Sequence, residues 1–359
     1  FKMKIFKYLF FLILIVIIGG AIYVATIDGN YQAEETMLMD VPAAMVFNEV
    51  NDFKSWEDWG PWKKEDPNMV FNYPEKTSGE GASYSWVGDK SMDGSMKTVK
   101  VIPNKSIDQE IVIETPFGKS QSDVYWKFEP VKGKTKVTWG TKGQQSFFDK
   151  IHMLTQDSTM SQRVKPMFEK GLTQLKERLT KKMQQYAINV DGITEYGGTF
   201  YMYVTTASKN NPKVLERKME QLFPQVARFM TDNDIEMSGK PLTVYNQINE
   251  DSGTVIISCG IPTTSKVVTP QESDVLNGYI EKTKALKVTL TGNYTNLPEA
   301  WDEANSYLAG TDFVKNEDIA PFEIYVTDPG KEPNPANWET EIFLPIKRKE
   351  VSVLTSESL

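Results

Sequence analysis

Hydrophobic and polar positions along the chain follow two alternating patterns, one typical of helices and one typical of strands. Residues Met160–Met183 place apolar side chains mostly three and four positions apart, which predicts one long amphipathic helix. A shorter helix is predicted at Ala43–Asn51, because Pro42 suits the first position of a helix. An extended piece, Gln32–Met39, comes before it. Turn residues separate six further runs of β character, at Val70–Tyr73, Ala82–Val87, Lys97–Ile102, Asp108–Thr115, Asp123–Pro130 and Thr135–Gly143.

The second half of the chain reads strand, helix, strand, strand, twice over. A linker at Tyr186–Gly192, with Asp191-Gly192 as its turn, separates it from the first half. Pro224 falls inside the first helix of this half and is expected to kink or split it. The predicted elements are Gly198–Thr206, Pro212–Thr231, Pro241–Ile248 and Thr254–Pro262, followed by Ala285–Gly292, Leu297–Ala309, Pro321–Thr327 and Glu339–Ile346.

These patterns predict an α+β protein with two globular domains. A short helix, an antiparallel run of strands and a long closing helix predict a curled sheet that grips a helix, over residues 31–187. The two βαββ halves predict a pseudo-symmetric domain with one cleft, over residues 190–347. Residues 348–359 read as a solvated tail.

The first 27 residues differ from the rest of the chain. Tyr8–Ile27 carries no charge, and twenty helical residues span about 30 Å, the thickness of a bilayer's hydrocarbon core. The end of the run, Ala21–Ala25, lacks a small-x-small cleavage pattern, so residues 1–27 are predicted to be an uncleaved anchor. A cleaved signal and a buried core helix are the alternatives. Lys2, Lys4 and Lys7 precede the run, which predicts that residues 28–359 lie outside the cytoplasm, facing the periplasm in a Gram-negative cell.

Charge and composition narrow the classes of partner. Once the three anchor lysines are set aside, 37 basic residues face 48 acidic ones, so the soluble part has a net charge of −11. Nucleic-acid affinity depends on Lys and Arg that neutralise phosphates, and no nucleic-acid partner is therefore expected. The chain has one cysteine, Cys259, and one histidine, His152, which gives little material for a metal site. Neither a metal nor another cofactor is predicted.

The first domain resembles the START-like (SRPBCC, polyketide cyclase and lipid-binding) superfamily. Besides the order of elements, the resemblance rests on the tryptophan-rich segment Phe53–Trp62, which looks like the turn after the first helix in many bacterial members. It implies a hydrophobic cavity between the sheet and the long helix. Trp59 and Trp86 are candidate lining residues, and the alternative is that these aromatics are ordinary core.

The second domain resembles the GyrI-like, or AraC effector-binding, ligand-binding domain. The resemblance rests on Ala320–Tyr325, Trp338–Ile346 and the strand Ala285–Gly292 followed by Asn293-Tyr294. It implies that an acidic residue and aromatic walls hold hydrophobic, often cationic, compounds. The DNA-binding domain that accompanies many members is replaced here by the predicted anchor and a START-like domain.

Strand alternation indicates which side chains could form this second site. Glu323 and Tyr325 share one face of their strand, and Glu341 shares a face with Glu339 and Phe343. The candidate ligand-binding residues are Glu323, Tyr325, Trp338, Glu341, Tyr294, Trp59 and Trp86. Glu341 is expected to matter more than Glu323, because Trp338 lies three residues away from it. The alternative is that both glutamates face water on the solvated side of a sheet.

Two functions follow from the sequence, and a structural or partner-binding role is a third. The first is a membrane-anchored binding protein for small hydrophobic or amphipathic molecules, cationic ones included, with a pocket in each domain. The alternative is a hydrolase or cyclase that acts on a hydrophobic small molecule with a pocket glutamate as general base. No Walker loop, dinucleotide fingerprint or nucleophile elbow is present, and no catalytic residue is assigned.

Overall fold

The structure is a computed structural model that describes residues 2–116 and 118–349. Phe1, Phe117 and most of the predicted tail, residues 350–359, lie outside this description. The chain divides into two compact units, residues 1–181 and residues 182–359, and each is described by itself.

In the described part of the first unit, seven antiparallel strands form one sheet in the order β1-β7-β6-β5-β4-β3-β2. The strands are β1 (Asn30–Met39), β2 (Val70–Asn72), β3 (Ser83–Val87), β4 (Gly94–Ile102), β5 (Ser106–Thr115), β6 (Gly118–Val131) and β7 (Lys134–Gln144). The helices are α1 (Lys2–Thr26), α2 (Ala43–Asn51), α3 (Trp56–Trp59), α4 (Trp62–Glu65), α5 (Phe147–Leu154) and α6 (Met160–Met183). The predicted helix-grip order is confirmed.

The long helix α6 closes this unit with its apolar stripe turned inward. Phe168, Leu172, Leu175 and Leu179 are buried at the three- and four-residue spacing that predicted the helix. Gly171 lies in the same stripe, where the Trp139 ring packs directly against the helix backbone. A Cβ at this position would come within 2.5 Å of that ring, so only glycine fits there. The helix is therefore placed by the aromatic residues of the sheet.

At the N-terminus, α1 contains a segment, Phe6–Thr26, that is long and apolar enough to cross a membrane. Val24 in its last turn is buried, whereas most of the segment's side chains are exposed. Two backbone-directed hydrogen bonds hold the residues that follow it. The Gln145 amide donates to the Gly29 carbonyl at 2.8 Å, and Lys150 Nζ donates to the Ile27 carbonyl at 2.6 Å.

In the described part of the second unit, eight strands form a sheet in the order β12-β9-β11-β10-β15-β16-β13-β8, and β14 pairs with β16 beside it. The strands are β8 (Ala187–Tyr196), β9 (Thr199–Lys209), β10 (Leu242–Asn249), β11 (Thr254–Thr263), β12 (Leu276–Ile280), β13 (Thr283–Thr291), β14 (Phe313–Lys315), β15 (Phe322–Tyr325) and β16 (Glu339–Arg348). Two helices, α7 (Pro212–Asp232) and α8 (Leu297–Ala309), complete the predicted pair of βαββ halves, and α7 runs through Pro224 without a break.

The two halves exchange their leading strands. β8 comes before the first half in the chain, yet it pairs with β13 of the second half. Conversely, β12 comes before the second half and pairs with β9 of the first. The predicted linker is therefore an edge strand, and the predicted domain start at residue 190 falls inside β8. Its Asp191-Gly192 pair forms a bulge, not a chain turn, since Gly192 has a φ of 97° and the register with β13 shifts there.

Candidate ligand sites

A carboxylate lies buried at the centre of the second unit's sheet. Glu323 is on β15, where it pairs with Thr243 of β10 on one side and with Ile342 of β16 on the other. Paired residues point to the same face of a sheet, and Ile342 packs with Ala300 and Ala304 of α8. Glu323 therefore points to the face that carries the two helices, and it is fully buried there.

Three aromatic side chains donate hydrogen bonds to this carboxylate. Tyr245 Oη and Trp301 Nε1 donate to Glu323 Oε1 at 2.9 and 2.7 Å. Tyr325 Oη donates to Oε2 at 2.7 Å and lies 3.1 Å from Thr243 Oγ1. Three strongly polar donors thus replace the water that the carboxylate loses on burial.

No basic side chain forms an ion pair with Glu323 among the described residues. Burial raises the pKa of Glu323, and the hydrogen bonds from Tyr325, Trp301 and Tyr245 oppose that rise. Burial, together with the nearby Glu323 charge, also raises the pKa values of Tyr245 and Tyr325. The tyrosines therefore remain protonated donors, and no protein cation faces the carboxylate in the part of the chain that the structure describes.

A row of rings leads from the buried carboxylate to half-buried side chains. Tyr325 makes edge contacts with Phe223 at 5.6 Å and with Tyr294 at 5.4 Å between ring centroids. Tyr294 in turn contacts the Trp338 ring at 4.8 Å. We name the group formed by Glu323, Tyr245, Trp301, Tyr325, Phe223, Tyr294 and Trp338 the carboxylate cage.

Glu341 lies outside this cage. It pairs with Ile324 across β15 and β16, so it points to the face opposite to Glu323. There it forms an ion pair with Lys287, at 2.7 Å between Nζ and Oε1, with both side chains about one quarter exposed. Trp338 lies three residues from Glu341 in the sequence, but its ring packs on Tyr294 of the cage.

The first unit contains a large cavity. Its volume is about 690 Å³, and it lies between the sheet and α6. Most of its wall is apolar, and the aromatic part comprises Trp56, Trp62, Phe71, Tyr84, Trp86, Trp139 and Phe168. The predicted lining residue Trp86 is part of this wall. Trp59 is buried behind it, with its ring 6.0 Å from both Trp126 and Trp139.

One end of the cavity is polar. Asp149 and His152 of α5, together with Gln145 just before that helix, line the wall there. Arg163 of α6 and Tyr31 of β1 contribute to the same wall. None of these residues was predicted to belong to a site, since a cavity wall assembled from separate elements has no sequence motif.

Sequence reasoning also missed four residues around the carboxylate, namely Tyr245, Thr243, Trp301 and Phe223. Thr243 and Tyr245 lie two residues apart on β10, and Trp301 lies in the amphipathic pattern of α8. The signal available was the spacing of Thr243 and Tyr245, which places them on one face of a strand. Nothing local indicated that β10 lies next to β15. No cluster of His, Cys, Asp and Glu suited to a metal occurs in the parts of the chain that the structure describes.

Together, the folds and the sites define a helix-grip domain with an apolar cavity, followed by a duplicated βαββ domain with a buried carboxylate. Residues 31–180 match the family model for polyketide cyclase/dehydrase and lipid transport. Residues 201–347 match the model for the GyrI-like small molecule binding domain. The chain therefore joins an SRPBCC-like domain to a GyrI-like domain, in the order that its residues predicted.

Solved structures show similarity at low sequence identity. The EcmrR C-terminal domain is 13% identical, with a TM-score of 0.39, over 46% of this chain and 99% of that one. A Chromobacterium violaceum protein is 12% identical, with a TM-score of 0.32, over 41% of this chain and 95% of that one. A Staphylococcus epidermidis protein is 16% identical, with a TM-score of 0.32, over 45% and 94% of the two chains. No curated protein matches the chain.

Proposed function

We propose that this chain is a membrane-anchored binding protein with a small-molecule site in each domain. The first site is the apolar cavity, which suits a neutral or amphipathic molecule. The second is the carboxylate cage, which suits an apolar cation. The observation that carries the proposal is the buried Glu323, surrounded by rings and without a basic partner among the described residues.

The charge of the cage explains the choice of a cation. A buried carboxylate is costly to keep, and hydrogen bonds offset only part of the lost hydration. An apolar cation supplies the opposite charge, and it also gains from the electron-rich faces of aromatic rings. Since Glu323 is fully buried, the half-buried Phe223, Tyr294 and Trp338 rings must move aside for a ligand to reach it.

The hydrogen bonds at Glu323 favour binding over catalysis. A general base must reach a substrate proton with a free lone pair. Both carboxylate oxygens of Glu323 already accept protein hydrogen bonds, from Trp301 and Tyr245 on one oxygen and from Tyr325 on the other. Three of the roughly four lone-pair sites of Glu323 are thus taken by protein donors, and turnover of a cage ligand is an outcome that would replace the binding proposal.

Membrane anchoring is proposed from α1. Its Phe6–Thr26 segment has the length and composition of a span, and its side chains other than Val24 are not covered by the rest of the first unit. The basic residues before it favour an N-terminus in the cytoplasm and both domains outside it. A protein that stays in the membrane fraction after carbonate extraction supports the anchor, and a soluble form that begins near residue 26 contradicts it. That no nucleic acid binds remains a prediction from the acidic soluble part.

A matched pair of ligands tests the cage. Phenylbutyl-trimethylammonium and its carbon isostere, in which carbon replaces the charged nitrogen, have nearly the same shape. Binding to the full chain in nanodiscs is measured by calorimetry, with empty nanodiscs subtracted. Glu323→Gln should weaken ammonium binding by about 1–3 kcal/mol, a loss of roughly tenfold to hundredfold, and leave the isostere nearly unchanged.

Glu341→Gln is the control variant. It removes a carboxylate from the same sheet but from the opposite face, so it should leave the preference for the ammonium in place. Equal losses from both variants, or no loss from Glu323→Gln, would contradict the cage as a cation site.

A further inference from the structure

Helix α5 presents its apolar side outward. Phe147, Ile151 and Leu154 are spaced by three and four residues and therefore share one side of the helix. Their exposures are 39%, 40% and 53%, and no α5 residue is buried. A surface helix of a globular domain normally turns this side toward the core.

The opposite side of α5 faces the cavity. Asp149, His152 and Met153 line its wall, and they are offset from the apolar residues by about half a helical turn. Asp149 is also fixed in place, because it forms a capping box with Ser146 at the start of α5. The orientation of the helix is thus set from its polar side and its first turn.

The register of the sheet brings α5 to the end of α1. β1 begins at Asn30, shortly after α1 ends at Thr26, and Asn30 pairs with Gln144 of β7. α5 begins three residues after Gln144. The Lys150 hydrogen bond to the Ile27 carbonyl, at 2.6 Å, joins α5 to the residue that directly follows α1.

We infer that α5 lies on the surface of the bilayer that α1 spans, with Phe147, Ile151 and Leu154 inserted among the lipid chains. The inference rests on the proposed anchor, since a span that ends at Thr26 places α5 at the membrane surface. Amphipathic helices of this kind bury their apolar side about 5–10 Å into the boundary between headgroups and acyl chains. An exposed apolar patch beside a span has lipid as its neighbour.

The position of α5 has a consequence for the first site. Because Asp149, His152 and Met153 line the cavity from the other side of the same helix, the polar end of the cavity lies at the membrane. An amphipathic molecule can then pass between the bilayer and the cavity beside α5 without crossing bulk water.

Site-specific fluorescence in the full chain tests the inference. Ile151→Cys and Leu154→Cys are labelled with an environment-sensitive NBD dye, and the protein is reconstituted in vesicles whose lipids carry a nitroxide on the acyl chain. Both positions are exposed, so the substitutions leave the packing of the unit intact. Burial raises the pKa of the native Cys259 thiol to about 12, which keeps it unreactive, and the unsubstituted chain measures any labelling there.

Val131→Cys is the matched control. Val131 is 38% exposed and lies at the β6–β7 hairpin. This hairpin is next to Met39, which ends β1 and pairs with Thr135, at the end of the strand away from α1. Ten residues of strand place it about 33 Å from the membrane end. The dye at residues 151 and 154 should emit at shorter wavelength and be quenched by the lipid nitroxide at least about fivefold more than the dye at residue 131.

Equal, weak quenching at all three positions would overturn the inference. So would a blue-shifted dye at residues 151 and 154 that lipid nitroxides do not quench, because a second copy of the chain would then cover α5. Flotation of the same vesicles after carbonate treatment separates this failure from loss of the anchor. If the protein floats without quenching, only the position of α5 is wrong, and if it does not float, the anchor proposal fails as well.

Discussion

The cavity and the carboxylate cage occupy comparable places in their domains, between a sheet and the helices that cover it, but they are built in opposite ways. The first unit encloses a cavity of about 690 Å³ behind a wall of rings, and that wall is mostly apolar. The second unit fills the corresponding space and buries a charge within it, with Tyr245, Trp301 and Tyr325 holding Glu323.

This difference indicates different modes of recognition. An apolar cavity selects by shape and by the surface that a ligand removes from water. A filled cage with a buried carboxylate selects by charge, and the ligand must offset the cost of moving the rings. Substitutions can therefore change one of the two sites at a time.

The largest expected effect is a loss of stability when a ring that supports the wall of the first site is removed. Trp126 is fully buried, stacks on Trp139 at 4.4 Å and does not line the cavity. Trp126→Ala should lower the free energy of unfolding of this unit by about 3–5 kcal/mol. Ile113→Ala, which shortens a half-buried side chain already facing empty space, is the control for chemical denaturation and should cost far less. Similar losses would mean that the rings do not support the cavity.

The next effect is on the stability of the second unit. Glu323→Gln removes the buried charge, and Tyr325 can turn its hydroxyl toward Thr243. The free energy of unfolding at pH 7 should rise by on the order of 1 kcal/mol.

The pH dependence of this effect has a definite sign. The pKa of Glu323 is raised in the folded state, so the stability that its proton provides is complete below the ordinary pKa and is lost as pH rises through the raised value. The advantage of Glu323→Gln should therefore be absent at acidic pH and grow toward neutrality. An advantage that shrinks as pH rises would contradict a buried, unneutralised carboxylate.

Filling the cavity should have a smaller effect, confined to the first site. Ile113→Trp places a large ring in the empty volume and should weaken binding of N-phenyl-1-naphthylamine about tenfold, near 1.4 kcal/mol. Emission of the directly excited dye is followed with the ammonium probe at saturation, so that the cage is already occupied and the signal comes from the cavity. Binding of the ammonium probe to the cage should not change, and a parallel loss there would contradict two separate sites.

The smallest effect is expected at Glu341. Its ion pair with Lys287 is partly exposed, and such pairs contribute about 0.2–1 kcal/mol. Glu341→Gln should change the free energy of unfolding by no more than this, as measured by denaturation. A loss above about 2 kcal/mol would show that the Glu341 face is the more important one.

The sequence predicted the order of elements because helix and strand periodicities are local properties. It missed β8 and β12, which form edges by pairing with the other half of the domain. β8 alternates only between exposed and half-buried positions, so it lacks the hydrophobic signal of a buried strand. Asp191-Gly192 looks like a turn because a bulge uses the same residues.

The candidate site was predictable to a similar depth. Alternation on one strand placed Glu323 with Tyr325, and the family resemblance added Tyr294 and Trp338. Whether Glu341 lies on the same face of the sheet as Glu323 depends on the register of β15 and β16. A shift of one residue in that register moves every side chain of a strand to the other face. Trp301 was missed for a related reason, since its contact with Glu323 joins a helix and a strand that are distant in the sequence.

The pH dependence of cation binding shows directly whether the Glu323 carboxylate holds the cation. The affinities of phenylbutyl-trimethylammonium and of its carbon isostere are measured from pH 4 to pH 8, for the native chain and for Glu323→Gln. We expect the ammonium affinity to rise as the pH passes through the raised pKa of Glu323, where the carboxylate gains its charge, and the isostere to show no such rise. In Glu323→Gln the ammonium profile should be flat. An ammonium affinity that is independent of pH in the native chain, or that rises equally in Glu323→Gln, would contradict the carboxylate cage as the cation site.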